Sequence, residues 1–79
     1  MKLKELRYYF FNQLNVFSKS EINTLFKLLC EDILEIKPHQ IIINAENRVL
    51  DSDLNSFFDA INRLKLNEPI QYIMGYSYF

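Results

Sequence analysis

Few residues in this chain could do chemistry. His39 is the single histidine and Cys30 the single cysteine. A lone imidazole in the first turn after Pro38 reads as a surface residue. A lone thiol on the edge of an apolar helix face reads as a small buried hydrophobe, and nothing near it in sequence would activate it as a nucleophile. Glu31, Asp32 and Glu35 cluster within five positions. Such a cluster could meet a cation or a basic partner, or be a solvated face. A hard cation prefers oxygen ligands presented by a loop, and these three fall on a helix. The aromatic run Tyr8-Tyr9-Phe10-Phe11 points in every direction around one helix. Phe10 is core. Tyr8 and Phe11 lie off the apolar stripe and are either flank packing or binding anchors. No residue is assigned a catalytic, cofactor-binding or metal-ligating role. A single glycine, Gly75, cannot build a phosphate-binding loop.

Composition excludes several classes. The chain has 79 residues, enough for one small domain. It is 49% hydrophobic and 15% aromatic, which argues against disorder. Nine basic and ten acidic residues leave a net charge of −1. A domain that grips nucleic acid by its backbone normally carries a basic excess, so no nucleic-acid partner is expected. One cysteine cannot form an internal disulfide, which removes the secreted, stapled mini-protein. The apolar run near the start breaks at Asn12 and Gln13, too soon for a signal peptide or a membrane span. No membrane partner is expected, and a reducing cytoplasm is the default location.

The elements that must position these residues are helical. Leu3, Leu6, Phe10, Leu14 and Phe17 share one stripe at 100° per residue. A second helix opens on Phe17-Ser18-Lys19-Ser20-Glu21-Ile22. Here Ser18 is the expected N-cap, Glu21 the residue that reaches back, and Phe17 with Ile22 the hydrophobic staple. Its stripe is Ile22, Leu25, Phe26, Leu29, Ile33 and Ile36, widened by Leu28, Cys30 and Leu34. Lys37-Pro38 ends it, and Pro38 starts a short third helix ending near Asn44. The run Ile41-Ile42-Ile43 would also suit a strand, but no convincing partner strand exists. Residues 45–50 form a loop, and Asp51 is the expected cap of a fourth helix. That helix places Leu54, Phe57, Phe58, Ile61 and Leu64 on one side, and Asn55, Asp59, Asn62 and Arg63 on the other. Asn67-Glu68 breaks it, Pro69 opens a last short helix, and Gly75 suits its C-terminal end. Tyr76-Ser77-Tyr78-Phe79 alternate as a strand begins, as if a domain had been excised there.

The stretch Glu68-Pro69-Ile70-Gln71-Tyr72-Ile73-Met74-Gly75-Tyr76-Ser77-Tyr78-Phe79 resembles the signature E-P-hydrophobic-x-Y-hydrophobic-x-G-x-x-x-F of the HemK/PrmC family. Those methyltransferases modify the glutamine of the GGQ motif in class I peptide chain release factors. Glu68, Pro69, Tyr72, Gly75 and Phe79 stand at matching positions. Asn67 departs from the family's usual glycine, and asparagine also tolerates left-handed backbone angles. The order of helices and the Arg63-Leu64 pair before Glu-Pro are similar too.

The resemblance implies an all-α fold: a bundle of about five helices over residues 1–75. Residues 76–79 would start a β-hairpin linker to a catalytic domain. It implies that S-adenosylmethionine and the catalytic residues belong to that other domain, and that this one helps hold the release factor. Tyr8, Phe11, Glu31, Asp32 and Glu35 are the candidate partner contacts. The alternatives are a stand-alone helical interaction module, or a DNA-binding helical domain. Asp51, Asp53 and Asp59 on the fourth helix argue against the last.

Overall fold

In the computed structural model, which describes residues 1–74, three helices meet on one aromatic ring. Helices α1 (Leu3–Gln13), α2 (Lys19–Leu29) and α4 (Asp51–Lys65) contribute Phe10, Phe26 and Phe57. The Phe26 ring lies 5.2 Å from Phe10 and 5.9 Å from Phe57, both tilted. Tilted contacts at these spacings suit the ring quadrupole. Leu3, Leu6 and Leu14 of the first stripe, Ile22 and Leu29 of the second, and Ile61 and Leu64 of the fourth fill the space around them. No polar side chain is buried among the described residues. The core is held by apolar contact alone. Two short helices complete the fold, α3 (Pro38–Ile43) and α5 (Ile70–Met74). The all-α bundle expected from the periodicity is the fold found.

Local chemistry explains most of the boundaries. The Ser18 hydroxyl accepts from the Glu21 N–H at 3.2 Å, and the Ser18 N–H donates to the Glu21 carboxylate at 3.2 Å. That reciprocal pair is the capping box expected at these residues. Phe17 and Ile22 both join the core. Similar reach-back bonds, not foreseen, start α1 and α3. Glu5 accepts from the Lys2 N–H and Gln40 from the Lys37 N–H, each at 2.7 Å. The backbone bond from Lys2 holds the Glu5 carboxyl below its ordinary value. The first turn of α1 is also capped from a distance. The Leu3 and Lys4 N–H groups donate to the carbonyls of Asn47 and Ala45 at 2.9 and 3.0 Å. The loop before α4 thus satisfies donors that a helix start leaves open.

Three expectations need correction. The second helix does not run as one α-helix to Ile36. It ends at Leu29 and continues as a π-helical stretch, Cys30–Leu34. The stretch closes with Glu35 in the left-handed region, φ 57°. The Glu35 and Ile36 N–H groups both fold back to the Cys30 carbonyl. The wider turn re-aims the apolar residues, so that Cys30 is buried and Ile33, Leu34 and Ile36 all pack on the core. Leu28, expected to widen the apolar arc, is exposed instead. Asp51 is not the cap of α4. The Leu50 carbonyl takes the first helical bond, from Leu54 at 2.9 Å, so Leu50 holds the cap position. Asp51 and Asp53 still place two carboxylates in the first turn, where the helix dipole favours them. Asn67, whose residue type tolerates left-handed angles, takes one, φ 64°. Gly75 and the strand expected from Tyr76 lie outside the described residues.

Two substitutions separate core from cap. Phe26→Ala removes the ring on which three helices meet and is expected to cost ~3–5 kcal/mol, a large part of a small domain's stability. Ser18→Ala loses one cap and is expected to cost about 1 kcal/mol, or roughly 4–8 °C in melting temperature. Thermal unfolding followed by circular dichroism checks both. Equal losses would contradict the hierarchy.

Candidate functional site

The best-organised polar feature is the turn between α4 and α5. The left-handed Asn67 turns the chain, and the Glu68 N–H donates to the Arg63 carbonyl at 3.1 Å. The Glu68 carboxylate then accepts from Arg63 through both Nε and Nη2, each at 3.0 Å. Arg63 Nη2 also donates to the Tyr72 carbonyl at 3.3 Å, on α5 itself. A guanidinium can hold both partners because its donors lie in one fixed fork. The Glu68 hydrogen bond raises the Arg63 pKa further above its ordinary value. Sequence reading placed Arg63 on the polar side of α4. Its half-buried position and its reach to α5 leave no mark in the helical spacing, which shows only its place just before Glu68-Pro69.

Of the five residues of the junction signature, Glu68, Pro69 and Tyr72 lie within the described residues. Glu68 is the partner of Arg63, Pro69 leads into α5, and Tyr72 accepts the guanidinium bond while its ring is exposed. Gly75 and Phe79 lie outside. Beside this turn is a cavity of about 440 Å³, whose lining includes Phe17, Leu25, Leu28, Leu64, Pro69 and Ile70.

The other candidates separate. Tyr8 is 73% exposed. Phe11 is half-buried against the core, and the Arg7 guanidinium lies 4.6 Å from its ring centre. The two are therefore not an equivalent pair. Tyr9, between them, packs edge-on to Phe58 at 5.5 Å. Glu31 pairs with Lys37 at 3.6 Å, Asp32 is half-buried with a partner of its own, and Glu35 is the exposed left-handed residue. No group of three or more His, Cys, Asp or Glu side chains that could hold a metal occurs among the described residues. His39 is exposed, as expected. Burial pushes the Cys30 thiol up to about 12, so it carries no thiolate at neutral pH. No helix among the described residues is long and apolar enough to cross a membrane.

A second groove was not foreseen. It holds about 660 Å³ between α1, α2 and α3 and is open to solvent. Leu3, Phe26 and Ile41 are apolar walls, and Lys4, Arg7 and Lys27 are the lysine and arginine side chains that line it. Its only sequence signal is Lys4 and Arg7 three apart on one helix face.

Fold and site together define a small all-α domain whose fourth and fifth helices are locked by an arginine–glutamate turn. The chain belongs to the PrmC N-terminal domain family, whose model matches residues 9–75. It is also similar to a release factor glutamine methyltransferase of Francisella tularensis subsp. tularensis (strain SCHU S4 / Schu 4). The two are 30% identical over 69 residues, which cover 87% of this chain and 23% of that protein. No solved structure matches the chain.

Two results are expected. Arg63→Ala loses both Glu68 and Tyr72 and should lower the melting temperature. Arg63→Lys keeps the charge without the fork and should fall between. Phe11→Ala should also melt early, whereas Tyr8→Ala should stay within about 0.5 kcal/mol of the parent. An Arg63→Ala protein that melts like the parent would show that the turn is held by its backbone alone.

Proposed function

We propose that this chain is the helical recognition domain of a protein-(glutamine) methyltransferase that acts on the GGQ glutamine of peptide chain release factors. Residues 1–75 form the recognition domain, and residues 76–79 begin the linker to a catalytic domain. The observation that carries this reading is the family match over residues 9–75, supported by the relative named a release factor glutamine methyltransferase. The chain spans about a quarter of that relative's length. The chemistry is therefore assigned to the remainder, which this chain lacks.

In this reading the domain supplies binding energy, and no reacting group. A side-chain amide nitrogen is a poor nucleophile, and transferring a methyl group to it depends on holding it in line with the donor. Contacts far from the reacting atom can supply that positioning. S-adenosylmethionine is the methyl donor of the parent enzyme. The residues here do not fit a cofactor site: the single glycine is Gly75, and no strand leads into a helix among the described residues. A nucleotide-like cofactor is typically cradled by a glycine-rich turn between a strand and a helix. The protein works in the cytoplasm, beside the translation machinery that its substrate serves.

Isothermal titration calorimetry tests both halves. The 79-residue chain is expected to bind a class I release factor saturably and to give no heat with S-adenosylmethionine. Saturable cofactor binding at micromolar levels would overturn the division of labour. Absence of any release factor binding, by this chain and by the full-length protein alike, would overturn the recognition role.

A further inference from the structure

We propose that the groove between α1, α2 and α3 docks an amphipathic helical segment of a protein partner, one with carboxylates flanking an apolar stripe. The inference rests on the recognition role proposed above and names the chemistry of the contact. Two observations point to it. The first is shape. The groove holds about 660 Å³. It is open to solvent, and its apolar floor is extended by Ile42, which is 84% exposed. A helix laid in such a groove buries side chains at three- and four-residue spacing.

The second is charge. The whole chain is net acidic by one unit, yet this groove is lined by Lys4, Arg7 and Lys27 and by no aspartate or glutamate. Lys4 and Arg7 stand on α1 and Lys27 on α2, so cations flank the apolar floor on two walls. Each is differently engaged. Lys4 is bridged to Glu46, which raises the Lys4 pKa and lowers that of Glu46. Arg7 rests over the Phe11 ring. Lys27 stands exposed in the last turn of α2. A partner carboxylate would find Arg7 and Lys27 here, while Lys4 already carries Glu46 as its counter-ion at the groove's edge. A bilayer is the less fitting occupant. Membrane-binding helices present a dense basic cluster beside their apolar face, whereas three cations line this groove and one of them is paired with Glu46.

The test measures fluorescence anisotropy with the full-length protein and two labelled helical peptides. Both carry leucines at helical spacing; one has glutamates on its flanks and the other lysines. The glutamate peptide is expected to bind at least about tenfold more tightly, with affinity falling as salt rises. Lys27→Glu should weaken it about tenfold or more, and Ile42→Asp should do the same. Both residues are exposed, so circular dichroism should show both variants folded. The same variants are then assayed against a release factor. Equal binding of the two peptides overturns the proposal, as does an unchanged affinity in both variants. Displacement of the peptide by phosphatidylserine vesicles, with tighter binding to the vesicles, overturns it in favour of a membrane. If the release factor binds parent and variants alike, the groove is wrong while the recognition role stands. If the charge pattern holds for the peptides and no release factor binds, the groove stands while that role fails.

Discussion

The contact of Phe26 with Phe10 on one side and Phe57 on the other is the constraint from which the rest of the domain follows. Those rings come from α1, α2 and α4, so one cluster ties together segments far apart in the chain. A domain of this size has little surface to bury, and large rings bury the most per residue ordered. Because no polar side chain is buried among the described residues, the interior of those three helices is arranged by shape, and the hydrogen bond from Lys65 on α4 to Gln13 on α1 lies at the exposed surface. The two short helices are attachments. Buried Ile41 anchors α3, and the loop after it caps the start of α1. Arg63 and Glu68 hold α5 against the end of α4.

That division explains what could be read from sequence. Apolar spacing is a property of one helix at a time, and it located Leu3, Leu6, Phe10 and Leu14 as core without any knowledge of their neighbours. Caps and helix starts are equally local, so Ser18 with Glu21 and Pro38 could each be assigned from residue type alone. The failures are tertiary. A regular α-helical wheel cannot show that the chain widens to a π-helical stretch at Cys30, because that change serves packing by Ile33, Leu34 and Ile36 from several directions. Leu50 displaced Asp51 at the start of α4 because its backbone carbonyl, and no side chain, sets that boundary. Arg63 looked like an ordinary polar-face residue until its two partners, five and nine positions later, came into reach.

The candidate site was less legible than the fold for the same reason. Surface residues are constrained by what they meet, and single-helix patterns say little about that. Tyr8 and Phe11 looked equivalent on a wheel, but packing gives one to solvent and the other to the core. The cationic groove draws on α1, α2 and α3, and the buried Phe26 and Ile41 are among its walls. The same ring that closes the core also lines this groove, so the stability of the bundle and the shape of the groove are one property.

Amide hydrogen exchange on the full-length protein, with and without a class I release factor, is the decisive measurement for the proposed recognition role. Exchange reports backbone opening residue by residue, and a partner seated on this domain should slow it there. Slower exchange on binding is expected along α1, α2 and α3, with the proposed catalytic domain protected in addition. Unchanged exchange throughout residues 1–74, with protection confined to the catalytic domain, would contradict it.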